Sequence, residues 1–215
     1  MDWQTVAARA EARYRDGGSR LPSEPDRRQK QLVRMAMAAG AAGLARKMQG
    51  RREDSASWFR LSAERYRESW LDAPPGSWGR PVGALKARLL AGDRKGAEED
   101  ARWVLSLAPQ EAASPIATYA LALGALILDR DAEAAAAAGD LTHFDAFPQA
   151  VAEALRGLSR VDAAAYRHAL GAVLESFESR DAYLEDVPVA DTVLVLEALA
   201  EGRRMAVRPV SPLLP

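Results

Sequence analysis

The sequence predicts an all-α protein of about nine or ten helices, arranged as antiparallel hairpins that stack into a repeat array or an irregular bundle. Apolar residues recur at the spacing of helix turns along nearly the whole chain, and no segment alternates polar and apolar residues as a strand would. Short turns containing glycine, proline or aspartate separate the periodic segments. With 215 residues, 48% of them hydrophobic and 27% charged, the composition is that of an ordinary globular protein.

The first half of the chain predicts three helices before its strongest break. The first begins after Asp2, a good N-cap, and is expected to end at the glycine pair 17–18. The second covers 26–50, and its many small side chains predict close packing against another helix. The third is expected to take Asp54 or Ser55 as its N-cap, and it carries an aromatic stripe.

The strongest break is "DAPPGSWGRP" at 72–81, which contains three prolines and two glycines. Such a stretch cannot continue a helix, because proline lacks the backbone donor and glycine has low helix propensity. The break divides the chain into sub-domains or forms a tightly packed loop. The simplest organisation is a single all-α domain over 1–215.

Three helical pairs follow the break, each built from two periodic segments joined by a short turn. The first pair turns at Gly92 and Asp93, the second at 129–131, and the third at 159–160. Asp162 is a good N-cap for the second helix of the third pair. Pairs of this kind predict antiparallel hairpins that pack side by side.

The first pair also contains Ala97 in its second helix, and Pro109 follows that helix. In the family named below, a small residue at the position of Ala97 lies where the two helices cross. Leu123 and Gly124 stand in the first helix of the next pair. This stretch resembles the tetratricopeptide repeat family, in which a glycine–aspartate turn joins two antiparallel helices and a proline ends the unit. The resemblance implies stacked helical hairpins, and it does not carry over a peptide-binding groove.

The last helix is predicted to run to Gly202, with Asp191 as its N-cap. The segment before it is expected to be extended, because Val187 precedes Pro188. A buried stripe of valine and leucine follows Asp191. The final "RPVSPLLP" is expected to be an extended tail that covers the core or meets a partner.

The end of the chain combines this leucine- and alanine-rich helix with Ser211, Pro212, Leu214 and Pro215. This ending resembles that of the bacterial immunity protein 49 family, in which a final helix leads to a short extended piece. Members of that family are helical and are thought to neutralise toxins by binding them. The resemblance implies a toxin as the partner and covers about the last 30 residues.

Charge is distributed unevenly along the chain. Residues 1–110 hold 21 Lys plus Arg against 14 Asp plus Glu, whereas residues 111–215 hold 8 against 16. Such asymmetry favours a polar protein partner, or a homo-oligomer formed between a basic N-terminal half and an acidic C-terminal half. It also arises when charges merely solvate helix faces.

No constellation of residues points to catalysis, to a cofactor or to a metal. The chain has no cysteine, and its two histidines, His143 and His168, stand in different helical pairs without a second ligand at metal-binding spacing. Phosphate-binding loops and nucleophile elbows are also missing from the sequence. We therefore predict a protein that is not an enzyme. The lack of cysteine and of a signal-like start fits a cytoplasmic location, and the longest uncharged run is too short for a membrane span.

Six residues are the candidates for contact with a partner. Three basic residues lie on one face of the second helix, and a tryptophan in the 72–81 break is expected to be an exposed anchor. Two adjacent acids precede the last helix. The six residues are Arg27, Lys30, Arg34, Trp78, Glu185 and Asp186.

The leading functional hypothesis is therefore a helical-repeat protein that binds another protein, with a toxin-neutralising immunity protein as its sharpest form. The alternative is an enzyme or small-ligand sensor with a pocket between hairpins, which would be lined by Asp191, Glu185 or His168. A third hypothesis is association with nucleic acid through the basic N-terminal half. It is the least favoured of the three, because the pI is about 6.2 and acids interrupt the basic face.

Overall fold

A computed structural model describes residues 1–107 and 114–215, and all regular structure in these two ranges is helical. Ten α-helices and one 3₁₀ turn occur there, without a strand, so the predicted all-α class is confirmed. The described chain forms two compact units. Unit 1 comprises Met1–Asp93, Ala182–Val189 and Pro215, and unit 2 comprises Arg94–Asp181 and Ala190–Leu214.

Unit 1 is a run of four helices in which each packs against the next. A 3₁₀ turn from much later in the chain, η1 (Leu184–Asp186), packs against the second of these helices. The predicted break at 72–81 lies inside this unit. The helices are α1 (Trp3–Ser19), α2 (Pro25–Met48), α3 (Arg52–Trp70) and α4 (Gly79–Leu90), and η1 covers Leu184–Asp186.

The first helix does not end at its glycine pair as predicted, but continues to Ser19. Gly17 marks a close approach of α2: a Cβ at this position would lie 2.7 Å from Nε2 of Gln31 and 2.8 Å from Cγ of Met35. Glycine ends a helix when it adopts positive φ, but it also stays helical where a neighbouring chain comes too near for a side chain. Here the second role applies.

Small residues bring α2 and α3 together, as the composition of α2 predicted. A Cβ on Gly43 would lie 2.9 Å from the ring of Phe59, which is 1% exposed. Neither Asp54 nor Ser55 caps α3 as predicted, because the helix begins at Arg52 and its cap residue is Arg51. Ser55 is buried, and its hydroxyl donates to the carbonyl of Gly43 at 2.9 Å. Ser62 donates in the same way to the carbonyl of Ala36 at 2.8 Å. These bonds satisfy hydroxyl groups that have no access to water.

Ion pairs connect the three longest helices of unit 1. Glu11 on α1 accepts from Nε and Nη2 of Arg46 on α2, at 2.9 and 2.5 Å. Glu68 on α3 accepts from Arg28 on α2 at 2.6 Å and from Arg65 on its own helix. Burial alone would raise the pKa of Glu68, but the two arginine hydrogen bonds outweigh burial and lower it.

We expect Glu68→Gln to weaken the acid dependence of stability. A carboxylate whose pKa is lower in the folded state contributes stability above its unfolded pKa, and this contribution is lost as pH falls through the folded pKa. The wild type should therefore lose free energy of unfolding below about pH 4.5, and the variant should lose less. At pH 7 the variant should be less stable by about 0.5–1 kcal/mol, because the pair is partly exposed. Urea titrations from pH 3 to pH 7 measure both effects, and parallel pH profiles would contradict the assignment.

The described residues of unit 2 form six helices, and each of the first five packs against the next. The segment between the first two, residues 108–113, is outside the described residues. Pro109, the predicted end of the first hairpin, lies in that segment. The last helix packs against the fourth and fifth helices of the unit. The helices are α5 (Arg94–Ser106), α6 (Pro115–Ile127), α7 (Asp131–Leu141), α8 (Gln149–Ser159), α9 (Ala163–Glu178) and α10 (Asp191–Gly202).

The ends of the later helices follow the sequence closely. Asp162 caps α9 as predicted, with its carboxylate accepting from the amides of Ala164 and Ala165 at 3.1 and 3.0 Å. Gly92 turns the chain after α4 with φ of +65°. The predicted cap of α10 is wrong by one position: Ala190 occupies the cap site, and Asp191 is the first helical residue.

Several hydrogen bonds fix the tail after α10 to the helices of unit 2. Glu197 accepts from the amides of Val207, at 3.0 Å, and Arg208, at 2.5 Å, and from the hydroxyl of Tyr166 at 2.7 Å. Burial of Tyr166 and its bond to this carboxylate raise the tyrosine pKa far above its ordinary value. The amide of Ala190 also donates to the carbonyl of Leu213 at 3.0 Å. The predicted tail is thus held against α9 and α10, but it is not extended throughout: Arg208 has φ of +53°, and a turn joins Ser211 to Leu214 through a hydrogen bond of 3.1 Å.

None of the helices in the described part of the chain combines the length and the apolar character needed to cross a bilayer.

Candidate functional site

Acids on the same helix largely neutralise the predicted basic face of α2. Nζ of Lys30 lies 2.7 Å from a carboxylate oxygen of Asp26, and Nε of Arg27 lies 4.0 Å from a carboxylate oxygen of Glu24. Glu24 also caps α2, because its carboxylate accepts from the amides of residues 26 and 27. Arg34 is exposed and forms no ion pair with any residue that the structure describes. The face therefore presents less free positive charge than its sequence suggested.

Trp78 is not the exposed anchor that its loop predicted. Its side chain is 6% exposed, and its ring packs on Trp70 with 5.8 Å between ring centroids. Proline and glycine around a tryptophan indicate a turn, but the turn here folds the indole inward against α3. Trp78 therefore contributes to the core of unit 1 and offers no surface for a partner.

Glu185 and Asp186 form most of η1, where the backbone is unusual. Their φ angles are +57° and +58°, so two consecutive residues other than glycine adopt the left-handed conformation. Each such residue costs about 1 kcal/mol or more, and the conformation persists only where the surroundings enforce it. The amides of Asp186 and Val187 donate to the carbonyls of Tyr183 and Leu184, at 3.1 and 3.2 Å.

Two further contacts hold η1 in place. Oε2 of Glu185 lies 2.9 Å from Nη2 of Arg13 on α1, and the Glu185 side chain is only 20% exposed. After the turn, Val187 and Val189 are each 3% exposed and anchor the segment in the core. The turn is therefore fixed on one side by an ion pair and on the other by buried valines.

The fixed turn presents Leu184 to solvent. This leucine is 70% exposed, and Asp186, two residues further along the chain, is exposed without an ion-pair partner among the described residues. Glu185, in contrast, is occupied by Arg13. Of the six predicted contact residues, the structure thus brings Glu185 and Asp186 to one surface, and it adds Leu184 and Arg13, which the sequence analysis missed.

Few features of the described residues suggest chemistry on a small substrate. His143 and His168 are both exposed. Glu98 pairs with Arg94 and Arg102 on its own helix, at 3.2 and 3.1 Å. Within residues 1–107 and 114–215, no three His, Asp or Glu side chains are grouped as ligands of a metal ion would be. The best candidate for a functional surface is therefore η1, where the apolar Leu184 and the acidic Asp186 are exposed.

Comparison with known proteins gives this chain no relative. No family model matches it, and neither the curated proteins nor the solved structures include a significant match.

Proposed function

We propose that this protein acts by binding another protein, and that η1 is part of the contact surface. The observation that carries the proposal is Leu184, a large apolar side chain that is 70% exposed on a turn held in a costly conformation. A leucine that is mostly exposed in the free protein gains apolar burial when a partner covers it, and this burial is favourable.

The fixed conformation of η1 also supports the proposal. Association costs free energy when loops and side chains must be immobilised, and a turn already fixed by Arg13, Val187 and Val189 avoids much of that cost. Asp186, beside Leu184, supplies a charge that selects among partners. The complementary surface on the partner would be an apolar pocket with a basic residue at its rim.

In its most specific version, the proposal is that this chain is a toxin-neutralising immunity protein. It is supported by the residues at 211–215 and by the alanine- and leucine-rich helix that precedes them. A partner identified through η1 would then be a toxin. Growth of cells that express this toxin should be restored when the present chain is co-expressed.

We expect Leu184→Ser to weaken partner binding at least tenfold while leaving the folded state intact. Truncating an exposed apolar anchor removes burial from the complex but almost none from the free protein. The partner is first captured in source cells by a photo-crosslinking amino acid at position 184 and identified by mass spectrometry. Its affinity for the variant and the wild type is then measured by calorimetry.

Leu71 provides the matched control, because it is a second leucine of unit 1 that is highly exposed, at 81%. Leu71→Ser and a crosslinker at position 71 should leave binding unchanged and capture a different set of proteins or none. If position 184 captures no protein, or if both serine variants bind equally well, η1 is not the contact surface. Turnover of a metabolite by a chain that captures no partner would favour the enzyme hypothesis.

A further inference from the structure

We propose that Arg13 is a positioning residue for η1, and that its ion pair with Glu185, called the latch, makes partner binding sensitive to salt. While the latch is closed, the turn displays Leu184 in the orientation that a partner requires. When the latch opens, the turn relaxes and the partner binds more weakly. This inference rests on the function proposed for η1 and concerns the regulation of the same surface.

The two residues of the latch have no other ion-pair partner among the residues that the structure describes. Nη2 of Arg13 and Oε2 of Glu185 are 2.9 Å apart, although the two residues stand near opposite ends of the chain. The one acid at helical spacing from Arg13 on α1 is Asp16, which pairs with Arg20. Arg9, one turn before Arg13, is itself basic. No acid of α1 therefore competes with Glu185 for Arg13.

The backbone of η1 opposes the closed latch. Glu185 and Asp186 adopt φ of +57° and +58°, a conformation that is costly for residues other than glycine. A partly exposed ion pair contributes less free energy than two such residues cost, so hydrogen bonds and buried side chains supply the rest. Closed and open turns are therefore close in free energy, and losing the ion pair shifts the population towards the open turn.

The two anchors of η1 respond differently to salt. Val187 and Val189 are each 3% exposed, and their apolar burial does not depend on charge. The side chains of Arg13 and Glu185 are 41% and 20% exposed, so dissolved ions approach the pair and screen its attraction. Rising ionic strength should therefore release residues 184–186 while the segment that follows stays in the core.

Opening of the latch weakens partner binding because only the closed turn presents the contact surface. The apparent affinity is the affinity of the closed turn reduced by the fraction of molecules in which the turn is closed. An open turn must also be ordered when the partner binds, and this ordering costs free energy. Arg13 thereby acts on binding through the turn, without itself touching the partner.

Hydrogen exchange in the free, full-length chain tests the latch without any partner. The amides of Asp186 and Val187 donate within η1, so their exchange rates measure how often the turn opens. We expect Arg13→Gln to accelerate exchange at both amides about fivefold relative to the wild type. Raising sodium chloride from about 0.05 M to about 1 M should accelerate exchange in the wild type and leave the variant almost unchanged.

Two further variants control for the loss of a charge. Arg9→Gln removes an exposed arginine of α1 that has no ion pair with any described residue, and it should leave exchange at η1 unchanged. The double variant Arg13→Glu with Glu185→Arg restores the pair with reversed polarity, so its exchange should return to within about twofold of the wild type. Equal exchange in Arg9→Gln and Arg13→Gln would overturn the latch, as would a double variant that exchanges as fast as Arg13→Gln.

Affinity for the partner captured at position 184 separates the latch from the function proposed for η1. Arg13→Gln should bind this partner about twofold more weakly or worse, and the double variant should recover. Recovery with an inverted charge at position 13 would show that Arg13 does not contact the partner. If Leu184→Ser weakens binding but Arg13→Gln changes neither exchange nor affinity, the latch is wrong and the contact surface stands. If exchange responds but position 184 captures no protein, the contact surface is wrong and the latch regulates no binding.

Discussion

Gly157→Ala should destabilise unit 2 by about 3 kcal/mol, although it adds only one methyl group to a helix. A Cβ at position 157 would lie 2.7 Å from the backbone nitrogen of Tyr166 and 2.9 Å from its Cα. These are backbone atoms of α9, so the contact cannot be relieved by rotating a side chain. The two helices would have to separate at their closest point.

The separation would also disturb the fastening of the tail. Tyr166 is fully buried, and its hydroxyl donates to Glu197, which holds the amides of residues 207 and 208. Movement of α9 therefore strains several hydrogen bonds at once. We expect faster hydrogen exchange at residues 207 and 208 in the variant, together with a lower urea midpoint for unfolding.

Gly171→Ala is the matched control for Gly157→Ala. Gly171 lies inside α9, where a Cβ would meet no atom within 4 Å. Alanine has a higher helix propensity than glycine, so this variant should be more stable than the wild type by about 0.5–1 kcal/mol. If the two alanine variants shift stability in the same direction, the contact between α8 and α9 is looser than described.

The sequence predicted the helices well because the spacing of apolar residues is a local pattern within each segment. The same local pattern could not assign the role of a glycine. The pair at 17–18 looked like a helix end, and Gly17 instead makes room for α2. The sequence shows that a side chain is missing, but the reason lies in a neighbour distant along the chain. Trp78 illustrates the same limit, since only the fold shows that Trp70 covers it.

The candidate surfaces show what local sequence can and cannot reveal. Glu185 and Asp186 were noticeable as adjacent acids, but their left-handed backbone and the ion pair with Arg13 depend on contacts between opposite ends of the chain. Leu184 could have been noticed as a large apolar residue in an acidic segment before a proline.

Glu11→Ala should cost about 3–4 kcal/mol, the largest effect that we expect from a charged residue of this protein. The carboxylate of Glu11 and the guanidinium of Arg46 have side chains only 11% and 12% exposed. Removing the acid leaves the guanidinium of Arg46 between α1 and α2 without its counter-charge. Because the guanidinium has little access to water, hydration compensates little for the lost ion pair. The free energy of unfolding in urea measures the loss.

We expect the loss in free energy of unfolding of Glu11→Ala to come from the Arg46 cation that is left without a partner. It should not come from a large net stabilisation by the ion pair itself. Replacing both residues, with Glu11→Leu and Arg46→Met, removes both charges and keeps apolar volume between the helices, so the double variant should return to within about 1 kcal/mol of the wild type. Asp16→Ala breaks an exposed pair with Arg20, the residue that follows the same helix, and should change stability by less than about 0.5 kcal/mol. A double variant as unstable as Glu11→Ala would show instead that the ion pair itself stabilises the contact between α1 and α2.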